Sequence, residues 1–189
     1  MDSDDQLLDR LARGDQAAFE DLFLRYSPQV YRAVSRLAGS PETAEDILQD
    51  TFLTLFHQPP RRPMDAPLVA WLCRVALNRG YNLLRGTQRE EQRLLGWDMA
   101  PLAQAPDQAA IRREEQMEVR TALARLPERQ SRLLLLRHAG LSYAEIAAAL
   151  ELAPGSIGTL LVRAERAFLE AFQAGQPAGY DDTRLTRAA

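Results

Sequence analysis

Five side chains in the middle of the sequence recur at a spacing that suits contact with nucleic acid. They lie three, four, four and three residues apart, so one face of a helix carries all five: Trp71, Arg74, Asn78, Asn82 and Arg85, hereafter the central stripe. Arginine neutralises phosphate, amides read base edges, and aromatic rings stack on exposed bases. The mixture favours a splayed single strand over a closed duplex. The alternative is a solvated face with Trp71 half-buried in a core.

A proline-rich segment precedes the central stripe. Residues 57–67, HQPPRRPMDAP, contain four prolines and cannot form a regular helix. The segment brings Arg61 and Arg62 beside the stripe and adds positive charge to it. Asp65 is predicted to cap the helix that carries the stripe, which should run to about residue 86.

The stretch Gly140–Phe172 predicts two helices joined by a tight turn. Ser142 and Glu145 form a capping box, and Pro154 suits a first helical position. Apolar residues share one side of the second helix, and the opposite side carries Ser156, Thr159, Arg163 and Arg166. This is the helix-turn-helix layout that places one helix in a DNA groove. The alternative is an ordinary helical hairpin in a bundle.

A third patterned helix is predicted at about residues 41–56. One face is apolar, and the other carries Asp46, Gln49, Asp50 and Leu53, hereafter the acidic face. An acidic patch with one exposed leucine indicates a protein partner with a basic surface. The alternative is a plain solvated face.

The elements that position these groups are almost all predicted to be helices. The sequence shows neither a sustained alternation of apolar and polar residues nor the turn dipeptides of a β-hairpin. The predicted helices lie at about 4–13, 16–26, 27–39, 41–56, 65–86, 109–125, 127–137, 142–150 and 154–173. The prediction is an all-α chain with two helical domains, 1–87 and 110–173. A flexible linker at 88–109 and a mobile tail at 174–189 complete it.

Charge is unevenly distributed along the chain. All 23 basic residues are arginine and the net charge is −3, which is unusual for a stand-alone nucleic-acid binder. Net charge is −6 over residues 1–59, +4 over 60–93, −3 over 94–119 and +2 over 120–189. Two positive segments therefore flank an acidic one, behind an acidic front.

Several protein classes are disfavoured by the composition. Neither a signal peptide nor an apolar run of the roughly 20 residues that cross a bilayer is evident. Cys73 is the one cysteine and lies in an apolar run, which predicts a buried, inert thiol. His57 and His138 lack metal-ligand spacing, and no catalytic motif occurs. We therefore expect a cytoplasmic protein that is not an enzyme and needs no cofactor or metal.

Three segments in order carry a resemblance to a known family. They are AEDILQDTFLTLF, PLVAWLCRVALNRGYNLLR and LPERQSRLLLLRHAGLSYAEIAAALELAPGSIGTLLVRAERAF. Together they closely resemble the extracytoplasmic-function (ECF, group IV) sigma factors of bacterial RNA polymerase. The resemblance covers about residues 10–172, and three motifs in the right order make it specific.

The resemblance implies roles for these residues. The first domain would correspond to sigma region 2, which binds the β′ clamp coiled coil and opens the −10 element. The acidic face, Asp46, Gln49, Asp50 and Leu53, would bind the clamp, and the central stripe would hold the −10 strand. The loop with Arg61 and Arg62 would capture a flipped base. Residues 113–172 would correspond to region 4, which reads the −35 element and docks on the β flap.

The sequence departs from the family pattern in the second helix of the helix-turn-helix. Gly158, Leu160, Val162 and Glu165 stand where members often carry a basic residue. Only Arg163 and Arg166 remain to neutralise phosphate, so −35 binding should rest on few charges. Two alternatives stay open: a stand-alone helix-turn-helix regulator, and a helical module that acts on polymerase or an anti-sigma factor without reading DNA. An anti-sigma factor is also an expected partner of the leading interpretation.

Overall fold

The computed structural model describes residues 2–60, 66–94 and 108–175. Within them it contains eight α-helices, one 3₁₀ turn and no strand. The predicted all-α class is confirmed. The helices form an N-terminal bundle and a C-terminal bundle, which pack against each other.

The N-terminal bundle consists of four helices: α1 (Asp4–Ala12), α2 (Gln16–Ser35), α3 (Pro41–His57) and α4 (Leu68–Leu94). Side-chain oxygens of Ser3, Asp15 and Ser40 accept backbone N–H groups in the first turns of α1, α2 and α3. These caps provide partners for amides that a helix start leaves unpaired. The starts of α2 and α3 at residues 16 and 41 agree with the predicted bounds.

Apolar faces of the four helices meet in one core. Phe52 of α3 is 1% exposed, and its ring lies 4.8 Å from Phe23 and 6.2 Å from Phe19, both edge-to-face. Such ring pairs contribute about 0.5–1.5 kcal/mol beyond their burial. Gly80 lets α4 approach the end of α2 closely, because a Cβ there would lie 2.8 Å from a Leu37 methyl group. The close approach fixes the orientation of α4 and hence of the central stripe.

The C-terminal bundle consists of α5 (Gln108–Arg125), α6 (Glu128–His138), α7 (Tyr143–Leu150), a 3₁₀ turn (Pro154–Ser156) and α8 (Ile157–Gln173). The predicted capping box is confirmed. Ser142 N–H donates to Glu145 at 2.7 Å, and Glu145 N–H donates to the Ser142 hydroxyl at 3.3 Å. Helix α7 ends at Glu151, whose φ of 56° and ψ of 47° are left-handed. The turn then directs the chain into α8.

Two predicted boundaries are wrong. The segments 16–26 and 27–39 belong mostly to the single helix α2, which contains Pro28. Val30 and Val34 continue the buried face that Leu22 begins, so packing outweighs the roughly 3 kcal/mol that an interior proline costs. Helix α4 also continues past Gly86 to Leu94, because one glycine costs a helix only about 1 kcal/mol.

The two bundles meet along α4 and α2. Helix α4 packs against α7, and α2 packs against α6. Tyr81 of α4 is 6% exposed; its hydroxyl hydrogen-bonds Ser131, and the Arg132 guanidinium lies 4.8 Å from its ring centroid. Arg32 of α2 donates to the Ala139 carbonyl at 3.2 Å. Helix α4 is therefore the boundary between the bundles.

Neither a membrane span nor a metal centre is evident in the described part of the chain. No single helix there combines the length and apolarity needed to cross a bilayer. Tyr143–Leu150 and Pro154–Gln173 reach that length and apolarity only together, as a pair bent by 111°. The same residues contain no group of three or more metal-ligating side chains.

Candidate nucleic-acid and partner interfaces

The central stripe lies on one face of α4, as its spacing predicts. Asn78, Asn82 and Arg85 are exposed, Arg74 is partly buried, and Trp71 packs partly buried against the core. The opposite face of α4 is anchored by apolar residues, chiefly Leu68, Leu72, Cys73, Ala76 and Leu77. Leu83, near the end of the described face, does not join it and is 49% exposed. Tyr81 takes a buried position instead, because the C-terminal bundle covers it.

Two arginines of the central stripe form ion pairs with the C-terminal bundle. Arg74 Nη1 lies 2.5 Å from Glu151 Oε1, and Arg85 Nη1 lies 2.9 Å from Glu128 Oε2. Arg85 also donates to the Asn82 side-chain oxygen at 2.7 Å. The stripe therefore faces carboxylates as well as solvent.

A cleft of about 520 Å³ remains between the central stripe and the C-terminal bundle. Arg74 and Asn78 form one wall, and the residues opposite include Arg129 and Arg132. Glu128 and Glu151 line the same cleft, so its guanidinium groups share the space with two carboxylates. Arg61 and Arg62, also predicted to contribute, lie outside the described residues.

The acidic face is exposed on α3. Asp46, Gln49 and Asp50 are exposed, and Leu53 is 51% exposed beside them. Their positions agree with the predicted two-faced helix, because Ile47, Phe52 and Leu55 on the other face are buried. A groove of about 720 Å³ runs along this face toward α4.

Sequence reasoning missed a basic residue at the acidic face. Arg79 of α4 donates to Asp50 at 2.9 Å and to the Thr54 hydroxyl at 2.8 Å. The pair joins α3 to α4 and orients one carboxylate of the acidic face. Arg79 falls one position off the central stripe, so helical spacing alone gave no signal for this contact.

The outer face of α8 has few charges. Thr159 and Arg163 are exposed, and Arg166 is 83% exposed while paired to Glu170 at 2.9 Å. The Ser156 hydroxyl donates to the Ala153 carbonyl at 2.7 Å within the 3₁₀ turn. Val162 on the same face is 65% exposed. The opposite face is buried through Ile157, Leu161 and Ala164.

Tyr143 of the helix-turn-helix lies outside the buried face of α7 and is 47% exposed. The Arg137 guanidinium lies 5.6 Å from its ring, and a Cβ at Gly158 would lie 3.6 Å from it. The ring covers the start of α8 rather than filling the core.

The predicted burial of the Cys73 thiol is confirmed. Cys73 is fully buried, and burial raises its pKa to about 12, with Glu145 adding to the effect. A thiol with so high a pKa is protonated at neutral pH and unreactive.

Two protein-family models match the parts of the chain that carry these interfaces. The sigma-70 region 2 model matches residues 22–90, which contain the acidic face and the central stripe. The sigma-70 region 4 model matches residues 116–168, which contain the helix-turn-helix. The molecule is thus of the class that carries both sigma regions in one chain.

Relatives along most of the chain define the family. The RNA polymerase sigma-H factor of Pseudomonas aeruginosa is 28% identical over 92% of this chain and 95% of its own. The ECF RNA polymerase sigma factor SigM of Mycobacterium tuberculosis is 31% identical, over 86% of this chain and 81% of its own. The solved sigma factor RpoE of Bartonella quintana, in complex with the anti-sigma factor NepR, has 26% identity and a TM-score of 0.57, over 84% of this chain and 98% of its own. The chain belongs to the ECF RNA polymerase sigma factors of the sigma-70 family.

Proposed function

We propose that this sigma factor directs core RNA polymerase to specific promoters and opens their −10 element with the central stripe. The observation that carries the proposal is the co-location of Arg74, Asn78, Asn82 and Arg85 on one face of a helix anchored in the core. Guanidinium groups bind the phosphates of an unpaired strand and amides read its bases. An exposed face of a rigid helix holds these groups in fixed geometry.

The acidic face is the proposed polymerase contact. Asp46, Gln49, Asp50 and Leu53 combine negative charge with one exposed apolar side chain, which suits the β′ clamp coiled coil. Complementary charge speeds encounter, and the leucine adds apolar burial at the interface. Arg79 holds the Asp50 carboxylate without neutralising the whole face.

The outer face of α8 is the proposed −35 contact. Ser156, Thr159, Arg163 and Arg166 would meet the major groove and its phosphates, with the β flap holding region 4 in place. Two arginines supply a weak electrostatic anchor on their own. We expect the contact to depend on the polymerase for most of its affinity.

Partners, location and chemistry follow from this role. The partners are core polymerase and promoter DNA, and an anti-sigma factor is a further one, because the related RpoE was solved bound to one. The site of action is the bacterial cytoplasm, where the polymerase works. The protein itself catalyses no reaction and uses no cofactor. The division into 1–87, 88–109, 110–173 and 174–189 stays a prediction.

Run-off transcription with purified core polymerase tests the proposal. We expect transcripts from a subset of genomic fragments only when the protein is added. The double variant Asp46→Lys and Asp50→Lys should lose core binding in sedimentation and abolish the transcripts, while circular dichroism stays unchanged. The matched control reverses two exposed charges of α2, Glu20→Lys and Asp21→Lys, and should retain both activities. Core binding by the α3 variant would contradict the clamp assignment.

A further inference from the structure

The groups of the C-terminal bundle that face the central stripe include two acidic side chains. Glu151 pairs with Arg74 at 2.5 Å, and Glu128 pairs with Arg85 at 2.9 Å. These two pairs are hereafter the carboxylate contact. Both arginines belong to the surface proposed to bind the −10 strand.

A carboxylate presents to a guanidinium the same chemistry as a phosphate. Both are anionic and accept charge-assisted hydrogen bonds in similar geometry. Neither arginine can give its full hydrogen-bonding capacity to a DNA phosphate while a glutamate holds it. The carboxylate contact and single-stranded DNA therefore compete for the same groups.

Contacts of Tyr81 and Arg32 across the interface hold the two carboxylates in place. Tyr81 lies between Arg74 and Arg85 on α4 and is buried against Ser131 and Arg132 of α6. Arg32 anchors α2 to the end of α6 through the Ala139 carbonyl. Exposed ion pairs contribute little by themselves, so this packing provides the stability and the carboxylates provide the match in charge.

The backbone at Glu151 also points to a role for its side chain. Glu151 is the one non-glycine residue with positive φ in the described part of the chain. Glycine or asparagine is the usual residue at such a helix end, and other side chains are strained there. The turn therefore carries a glutamate where the backbone favours glycine, and the side chain reaches Arg74.

We infer that region 4 is an intramolecular ligand of the −10 surface, with Glu128 and Glu151 occupying the phosphate-binding arginines of the central stripe. The inference rests on the proposed function of that stripe. In the free protein, promoter DNA must displace the two carboxylates before the stripe can hold a strand. Core polymerase, by separating region 4 from region 2, would expose the stripe.

Anisotropy with a fluorescent 20-nucleotide mixed-sequence single strand tests the inference on the full chain at low salt. The double variant Glu128→Gln and Glu151→Gly removes both carboxylates. Glutamine keeps an acceptor for Arg132, which Glu128 also holds at 2.7 Å, and glycine is the preferred residue at position 151, so the fold should be retained. We expect about fivefold tighter binding, the combined effect of removing two exposed ion pairs. A second double variant, Glu128→Gln with Glu151→Asn, should show the same gain in affinity for the single strand.

The control is Glu115→Gln, which removes an exposed carboxylate of the C-terminal bundle that lies on α5, outside both the α4 interface and the proposed −35 contact. It should leave the affinity for the single strand unchanged. Equal affinity of the wild type and both double variants would overturn the inference, as would an equal gain in the control.

A further variant separates this inference from the proposed function. Adding Arg74→Ala and Arg85→Ala to the double variant should abolish the gain in binding. If the arginine changes weaken binding but the carboxylate changes do nothing, the stripe binds DNA and the inference fails alone. If the arginine changes leave binding unaffected, the proposed function of the stripe fails with it.

Discussion

The central stripe of α4 and the outer face of α8 are both proposed to contact DNA, but they differ in charge and in surroundings. The stripe places Arg74 and Arg85 among amides and an aromatic ring, and the other bundle pairs with both arginines. The α8 face offers Arg163 and Arg166, and its Val162 is 65% exposed. On the surface with more nucleic-acid chemistry both arginines pair with the other bundle, whereas on the surface with less Arg166 pairs within its own helix.

The difference shows how one chain can carry two DNA contacts without binding DNA indiscriminately. A charge-rich surface that is exposed would bind any polyanion, with strong salt dependence. Pairing the arginines of the stripe with region 4 limits that binding, and the small number of charges on the α8 face makes such pairing unnecessary there. The net charge of −3 acts in the same direction.

The largest expected effect within this comparison is at the stripe. Replacing Asn78 and Arg85 together with alanine removes one base-reading amide and one phosphate-binding group, both exposed in the fold. We expect initiation to fall about tenfold or more, since such contacts contribute roughly 1–3 kcal/mol each. Abortive transcription measures initiation, and sedimentation with core polymerase should show unchanged binding.

A smaller effect is expected from Arg163→Ala on α8. The change removes one of two phosphate-binding groups and should reduce initiation a few-fold at promoters that depend on the −35 element. Comparing templates with and without that element measures the dependence. Indifference to the change would favour a region 4 that does not read DNA.

Substitution of Gly158 can add a positive charge to the outer face of α8. Its Cβ would lie 3.6 Å from the Tyr143 ring, an ordinary contact, so Gly158→Ala should raise the free energy of unfolding by up to about 1 kcal/mol. Gly158→Arg should also add about one unit to the salt dependence of −35 binding by holoenzyme. A gain in stability without a change in salt dependence would separate helix propensity from phosphate contact.

The smallest effect concerns pH at the junction of the bundles. Burial, Arg36 and Arg32 lower the pKa of His138 below its ordinary value. The neutral form is therefore favoured in the packed state, and stability is lost as pH falls below about 6.5 toward the lowered pKa. X-ray scattering between pH 7.5 and 5 should show expansion on acidification, and His138→Gln should reduce it.

Much of the fold could be predicted from local sequence. Asp15, Ser40 and Ser142 mark helix starts, because a short polar side chain just before apolar residues at helical spacing is typical of an N-cap. The buried and exposed faces of α3 and α8 could be predicted from the spacing of their apolar residues. Pro28 and Gly86 misled because local breakers carry no information about the packing that overrides them.

The candidate site was only partly predictable. The members of the central stripe lie within one helix, so helical periodicity identified them. The partners Glu128 and Glu151 belong to another bundle, more than forty residues along the chain, and no local pattern relates them to Arg74 and Arg85. Arg79 and Tyr81 were missed for the same reason, since their contacts are tertiary.

Permanganate reactivity of promoter thymines tests the central claim most directly. Core polymerase with the wild-type protein should make thymines of the −10 element reactive on a promoter selected from genomic fragments by run-off transcription. The variant Asn78→Ala with Arg85→Ala should bind core polymerase equally and leave those thymines about tenfold less reactive. Equal reactivity with the variant would contradict the assignment of promoter opening to the central stripe.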